Sequence, residues 1–330
     1  MDHVRFGRTG LRVSRLCLGT MTFGYQCDDA TSHAILDGAA EEGITFIDTA
    51  DAYPLGAEPR DVGRTEDILG RWLSGRRDRF VIATKCHYPT GPSPWDRGNS
   101  RQNIMRAIEA SLRRLRTDHV DLYQLHAWDR QTPIDESLLA LDDLIHAGKV
   151  RYAGISNLLA YQLARSLGRS EVLGVARFES LQPRYNLLFR QPERELLPLC
   201  GEEQVAVIPY NPLAGGLLTG KHQQEGGPTE GTRFTLGNAA DRYTDRYWHD
   251  REFATVDALG DVAAEAGRSM AELAVAWVLA NPVITSPILG ASRPEQLADA
   301  VRAARSPLEP DLKARLDELT VEYRYGDAER

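Results

Sequence analysis

The chain opens with alternating apolar and polar residues. Val4 and Phe6 have charged or small neighbours, Thr9-Gly10 supplies a turn, and Leu11 and Val13 resume the period of two. This pattern predicts a short β-hairpin. Downstream, short apolar runs alternate with longer segments of helical period. The runs are Leu16–Leu18, Ile44–Ile47, Phe80–Ala83, Val120–Leu125, Tyr152–Ile155, Ser180–Gln182, Val205–Ile208 and Ser286–Leu289. The sixth is weak, and Pro287 interrupts the last. Runs that are apolar on both faces predict strands of a parallel sheet covered on both sides.

The intervening helices carry punctuation. Thr132-Pro133 ahead of Ile134, Leu138, Leu141, Leu144 and Ile145 predicts an N-cap, a proline at the first helical position and an apolar stripe that Gly148 stops. Thr65, Ile68, Leu69, Trp72 and Leu73 form a second stripe, closed by Gly75. Ser269 with Glu272, and Ser292 with Glu295, have capping-box spacing. Eight strand–helix alternations without a linker or a break in composition favour one domain over residues 1–330. Its fold class is α/β, a single (β/α)8 TIM barrel with an N-terminal β-hairpin and an extra C-terminal helix. The rival, an open doubly wound sheet, normally places G-x-G-x-x-G after its first strand, and Gly19-Thr-Met-Thr-Phe-Gly24 does not match it.

Composition narrows the function. The 330 residues are 42% hydrophobic and 26% charged, an ordinary globular balance, and the net charge of −8 argues against nonspecific nucleic-acid binding. The strongest apolar stretch, Leu273 to Ala280, falls far short of the ~20 residues a spanning helix needs. Four cysteines, Cys17, Cys27, Cys86 and Cys200, form no C-x-x-C pair and read as reduced thiols of a cytoplasmic protein. Only four basic residues are lysines, so each one merits individual attention.

Three ionisable residues stand at the ends of apolar runs: Asp48, Lys85 and His126. In a barrel, the C-terminal strand ends converge on the face that carries the active site. A lone buried Asp or Lys there costs several kcal/mol by order of magnitude, so each needs a partner, and Asp48 and Lys85 can serve each other. Taken singly, they read as a structural ion pair and a satisfied core histidine. Tyr53, five residues after Asp48, changes the balance, because a cation beside a phenol favours phenolate and gives a general acid for an alkoxide.

Phe46-Ile-Asp-Thr-Ala-Asp-Ala-Tyr53, with Lys85 and His126 at strand ends, resembles the aldo-keto reductase superfamily from about Gly7 to about Ala304. Within it, the chain resembles the branch of potassium-channel β subunits and Tas-like bacterial reductases; Tyr53-Pro54 and the insertion up to Gly63 point to the latter. The resemblance implies that Tyr53 donates a proton to a carbonyl oxygen, Lys85 lowers its pKa, Asp48 holds Lys85 and His126 orients the carbonyl. Hydride would come from NADPH, with no metal.

The resemblance also implies the cofactor contacts. Gly19, Thr20 and Met21 would approach the nicotinamide ribose, with Asp48 beside them. Ser156, Asn157 and Gln182 would bind the carboxamide, although Asn157 reads equally as a cap of the following helix. Tyr210 would stack on the ring. Asn211, Pro212, Leu213, Ala214, Gly215, Gly216 and Lys221 would wrap the pyrophosphate. Gly215-x4-Gly220-Lys221 imitates a P-loop, but His222 stands where that motif needs Ser or Thr. Gly290, Ser292 and Arg293 open a helix whose free N–H groups and guanidinium suit a 2′-phosphate, with Gln296 on adenine and Arg233 on a belt above.

Two loops, His87 to Ser100 and Gln223 to His249, are rich in aromatics, and Trp128 joins Tyr53 and His126 as a substrate candidate. An aromatic mouth favours hydrophobic or sugar-like carbonyls; packing of the loops explains the same residues equally well. Arg97, Arg101 and Arg130 are candidates for the diphosphate of a nucleotide-linked keto-sugar. The expected partner is a small-molecule carbonyl, with neither nucleic acid nor membrane, and a homo-oligomer is left open. The alternative is an NADPH-sensing subunit of a channel-like complex; retention of His126 and the absence of a preceding interaction arm favour the enzyme.

Overall fold

The computed structural model describes residues 1–56 and 58–326. Ala57, inside the expected insertion, and residues 327–330, at the end of the expected domain, lie outside the described residues. The opening alternation forms β1 (His3–Arg5) and β2 (Arg12–Ser14), paired antiparallel. Eight parallel strands follow: β3 (Cys17–Gly19), β4 (Phe46–Asp48), β5 (Val81–Cys86), β6 (Val120–Leu125), β7 (Val150–Ser156), β8 (Phe178–Gln182), β9 (Ala206–Val207) and β10 (Ile288–Gly290). Their order is β10-β3-β4-β5-β6-β7-β8-β9. Bridges Val207–Ile284 and Tyr210–Ile288 bring the two edges together, with Ile288 N donating to Pro209 O at 2.8 Å. Each of the eight apolar runs contains or overlaps a strand, including the weak Ser180–Gln182.

The hairpin closes the N-terminal end of the barrel. Phe6 is fully buried and meets Phe46 edge-on, with ring centroids 5.9 Å apart. Together with Val13, Cys17, Ala83, Leu122, Ala206 and Ile208 they fill the interior at that end. A larger apolar cluster lies between the strands and the outer helices, so the strands are buried on both faces. The plugged floor leaves the opposite end, where the C-terminal strand ends lie, as the mouth that a barrel of this kind offers a ligand.

Three capping expectations shift. The helix after β6 spans Ile134–His146 with Pro133 itself as N-cap, one residue later than expected; Thr132 Oγ1 donates instead to Asp129 Oδ2 at 2.7 Å. Ser269 does cap Met270–Leu279, accepting from Glu272 N, but the Glu272 carboxylate turns to Arg268 and Arg302. Such charge-assisted bonds are stronger than the reciprocal half of the box. Ser292 caps nothing: Arg293 precedes a 3-10 turn, Pro294–Leu297, which runs into Ala298–Arg305. Beyond it, Pro310–Leu319 is the extra C-terminal helix. The stretch expected as one long loop contains the helix Ala240–Tyr247.

Gly70 marks the tightest helix contact. It lies within Arg64–Leu73 where that helix crosses Arg101–Leu115, and a Cβ there would stand 2.1 Å from Arg114 O. In an open helix Gly70→Ala gains about 1 kcal/mol of propensity. Here the obstacle is backbone, and overpacking costs about 1–3 kcal/mol or more. Clash should win, so Gly70→Ala should lower the denaturant midpoint; a raised midpoint would show that the two helices separate freely.

Candidate active site

The ionisable residues at the strand ends meet. Asp48 ends β4 and Lys85 lies inside β5, one residue before its end, because a charge paired this closely can remain within a buried strand. Lys85 Nζ donates to Asp48 Oδ1 at 2.5 Å and to Thr49 O at 2.8 Å. The other carboxylate oxygen, Asp48 Oδ2, accepts from Gln124 Nε2 at 3.1 Å and Gln182 Nε2 at 2.9 Å. Both charged side chains are essentially inaccessible. Burial opposes the ammonium, but Asp48, aided by Tyr53, outweighs it and holds Lys85 above its ordinary pKa.

Tyr53 and His126 stand over this pair. Lys85 Nζ lies 5.0 Å from the centroid of the Tyr53 ring, and the Tyr53 and His126 rings meet edge-on at 5.7 Å. Lys85 acts on the phenol in the expected direction, but the net direction is upward. Burial pushes Tyr53 above its ordinary value; Lys85 pulls it back only in part, and Asp48 works against Lys85. His126 is held well below the usual imidazole range, by burial first and then by Lys85, His87 and Arg242. It is therefore neutral at neutral pH, and its Nδ1 is buried without a hydrogen-bond partner among the described residues.

A cavity of about 1550 Å³ opens above these groups. Asp48, Tyr53 and His126 line it, as do Gly19, Thr20 and Met21 after β3. Asn157, Gln182 and Tyr210 form another part of the wall. Asn157 sits at φ 53° and does not cap the next helix, where Leu159 is the N-cap. Its amide donates to His126 O at 2.9 Å and accepts from Tyr210 Oη at 2.9 Å, fixing both neighbours. Ser156 lies behind the wall, fully buried, with its hydroxyl donating to Gln182 O at 2.7 Å. Burial raises Tyr210 to about 12, so its hydroxyl stays protonated as that donor.

The segment from Asn211 to Lys221 folds as a turn of positive-φ residues rather than as a P-loop ahead of a helix. Asn211 Oδ1 accepts from Gly215 N at 2.8 Å, and Asn211, Pro212, Leu213, Gly215, Gly216 and Lys221 all face the cavity. Ala214 is fully buried and packs into the core instead. Gly215 has φ 72°, and a Cβ there would lie 2.8 Å from Tyr243. Gly290, Ser292, Arg293, Gln296 and Arg233 complete this arm. Gln296 Oε1 accepts from Ser292 N at 2.7 Å and from Ser292 Oγ at 3.2 Å. Burial, and then Arg293 and Arg233, lower Lys221, so the three cations lie close together. Among the described residues none of the three has a carboxylate partner, and Arg233 Nη1 is buried without a hydrogen bond. A cavity with Lys221, Arg233 and Arg293 grouped in one arm and Asn157, Gln182 and Tyr210 in another fits a dinucleotide whose phosphates lie in the first arm.

Other candidates fall elsewhere. Trp128 packs against the main core and does not line the cavity. Arg97, Arg101 and Arg130 are also off its wall, and Arg101 pairs with Asp143 at 2.5 Å. Of the loop aromatics, Tyr88 and Tyr243 face the cavity, while Phe234 and Trp248 meet edge-on with ring centroids 4.8 Å apart and pin their loop down. Sequence reasoning missed Gln124, whose run placed it in a strand without marking its inward face, and missed three cavity arginines, Arg60, Arg242 and Arg246. The spacing of Arg242 and Arg246 was a signal, but only a helix, not the expected loop, gives it meaning. Among the described residues all four cysteines are free and buried, and no helix is long and apolar enough to cross a membrane.

Comparisons with known proteins agree with this geometry. A family profile described as "Aldo/keto reductase family" matches residues 15–321. An uncharacterized oxidoreductase, YrpG, of Bacillus subtilis is 39% identical, covering 97% of this chain and 96% of its own length. Protein tas of Escherichia coli is 35% identical, with 98% and 99% covered. A probable voltage-gated potassium channel subunit beta of Arabidopsis thaliana is 35% identical over 92% and 91%. The closed parallel barrel, the buried Asp–Lys pair beneath a tyrosine and a histidine, and a match over most of the length lead to one conclusion: the chain belongs to the aldo/keto reductase family, an oxidoreductase family.

Proposed function

We propose that this protein reduces an aldehyde or ketone to an alcohol, with NADPH as the hydride donor and Tyr53 as the general acid. The observation that carries the reading is the juxtaposition of Tyr53 and neutral His126 over the buried Lys85–Asp48 pair, at the floor of a cavity whose far arm holds three uncompensated cations. Reduced nicotinamide supplies a hydride when bound. Asn157, Gln182 and Tyr210 would hold its ring end, and Lys221, Arg233 and Arg293 its phosphates. Arg293 is suited to the 2′-phosphate, because a guanidinium stays charged at all relevant pH and binds phosphate through two N–H groups.

The protonation states suit reduction. Neutral His126 can donate a hydrogen bond to the carbonyl oxygen without surrendering a proton. Tyr53, raised by burial, is fully protonated at neutral pH. An alkoxide is a far stronger base than a phenolate, so an ordinary or even a raised phenol pKa leaves transfer from Tyr53 Oη downhill. Lys85 then acts after transfer, as the cation beside the new phenolate. The alternative of a cofactor-sensing subunit draws on the likeness to a channel subunit; the neutral histidine poised at the cavity floor favours catalysis. A cytoplasmic location is part of this reading, and the four buried free thiols among the described residues support it.

Tyr53→Phe should bind NADPH normally and lose about two to four orders of magnitude in single-turnover carbonyl reduction. A near-normal rate of the chemical step would reject Tyr53 as the acid.

Arg293→Ala should weaken NADPH roughly ten- to hundred-fold, the loss of one charge-assisted bond, and leave NADH nearly unchanged. Fluorescence titration of both cofactors at one ionic strength checks this. Equal losses for the two would remove Arg293 from the 2′-phosphate site.

A further inference from the structure

The positive charge of the cavity extends beyond the arm assigned to the cofactor phosphates. Arg60, from the turn Pro59–Asp61, and Arg242 and Arg246, from the helix Ala240–Tyr247, also line the wall. Four-residue spacing puts Arg242 and Arg246 on one stripe of their helix. That helix is anchored by buried Tyr243 and Tyr247; Tyr247 Oη accepts from Asn186 Nδ2 and Asn211 Nδ2, each at 3.0 Å. The segment leading into it touches the loop that carries Arg60. Gly56 and Gly237 pack backbone to backbone, so closely that a Cβ on Gly237 would lie 2.2 Å from Gly56 O.

Arg242 and Arg246 sit toward the reacting end. Arg242 is near enough to His126 for its charge to bear on the imidazole, and Arg246 bears likewise on Tyr210. Lys221, Arg233 and Arg293 bear on one another in the other arm. Only two carboxylates line the cavity among the described residues, and both are engaged: Asp48 by Lys85, and Asp299 by Arg302. Asp241 and Asp245, on the same helix as the two arginines, are not on the wall. Among the described residues Arg60, Arg242 and Arg246 have no carboxylate within ion-pair distance. In a chain of net charge −8, this concentration of unpaired cations is local. A cleft of one sign gathers ligands of the other, and arginine's planar fork matches carboxylate and phosphate oxygens.

We propose that the carbonyl substrate carries an anionic group, a carboxylate or a phosphate, bound by Arg242 and Arg246 with Arg60 beside them. The inference rests on the reading of the protein as a carbonyl reductase and adds the substrate's charge to it. A neutral aromatic or aliphatic carbonyl leaves these cations without a counter-charge. An anionic one supplies it and is positioned by it, so that its carbonyl meets His126 and Tyr53.

The test uses two matched pairs: succinate semialdehyde with butanal, and glyceraldehyde 3-phosphate with glyceraldehyde. The readout is the ratio of kcat/KM, charged over uncharged, with NADPH in wild type, Arg242→Gln, Arg246→Gln and the double variant. Both members of a pair use the same His126 and Tyr53, so any disturbance of the chemistry cancels in the ratio. The wild-type ratio should exceed about ten for at least one pair, and which pair it is separates carboxylate from phosphate. The double variant should lower that ratio roughly ten- to hundred-fold, and Arg242→Lys should keep more of it than Arg242→Gln. A wild-type ratio near one for both pairs, or a ratio that the double variant leaves intact, overturns the inference while leaving carbonyl reduction standing. If none of the four aldehydes is reduced, no ratio can be read, and calorimetry decides the anion site by itself. Succinate or glycerol 3-phosphate titrated into the NADP⁺-loaded protein should bind wild type and lose at least about ten-fold in affinity in the double variant; no binding of either overturns the site.

Discussion

A lysine ammonium placed inside a barrel is the constraint around which the site is built. Taking Lys85 out of water costs several kcal/mol by order of magnitude unless its charge and its donors are met. Asp48 on the adjacent strand and Thr49 O meet them, and Gln124 and Gln182 from two further strands complete the carboxylate. The pair therefore ties together β4, β5, β6 and β8 at the same level of the barrel. At the other end of the barrel the hairpin packs Phe6 against Phe46, and an apolar cluster fills the interior there. Removing either charge leaves the other buried and unpaired, so stability and chemistry are bound to the same two residues.

The same ammonium acts in two directions on its neighbours. It lowers His126, which burial already disfavours as a cation, and so keeps the imidazole neutral. It also tempers the rise that burial gives Tyr53 without reversing it. The outcome is a neutral donor and a protonated acid beside one fixed cation. Asp48 sets how much of the lysine's charge the phenol feels, because it works against Lys85 at Tyr53 while supporting Lys85 itself. Amides and backbone tie the surroundings: Asn157 binds both His126 O and the Tyr210 hydroxyl, so it links the floor to one wall.

Much of this was legible in the chain. Strands such as Val120–Leu125 are apolar on both faces, which has few readings other than a covered parallel sheet, and Asp48, Tyr53, Lys85 and His126 were marked by polar chemistry placed against apolar runs. What stayed hidden was decided by tertiary contacts. Nothing in the sequence shows that burial would outweigh Lys85 at Tyr53, since the spacing gives proximity but not the depth of the phenol. Trp128 looked like a substrate contact because it follows His126 by two residues, yet the chain after β6 turns it onto the outer core. Ser292 and Glu295 had cap spacing, but a 3-10 turn moved the helix start beyond them and Gln296 took the Ser292 hydroxyl. The arginines nearest the reacting end came from a stretch read as loop, where a period of four carries no information until a helix is known to form.

The central claim is that Lys85 and Asp48 act on Tyr53 as one unit. A double-mutant cycle of Asp48→Asn and Lys85→Met, read by single-turnover NADPH oxidation in variants first shown to be folded and to bind cofactor, tests it most directly. If the pair is a unit, Lys85→Met alone should cost about two to four orders of magnitude, and adding Asp48→Asn should cost little more. Losses that multiply across the two positions, or a Lys85→Met variant with the wild-type rate, would contradict the account.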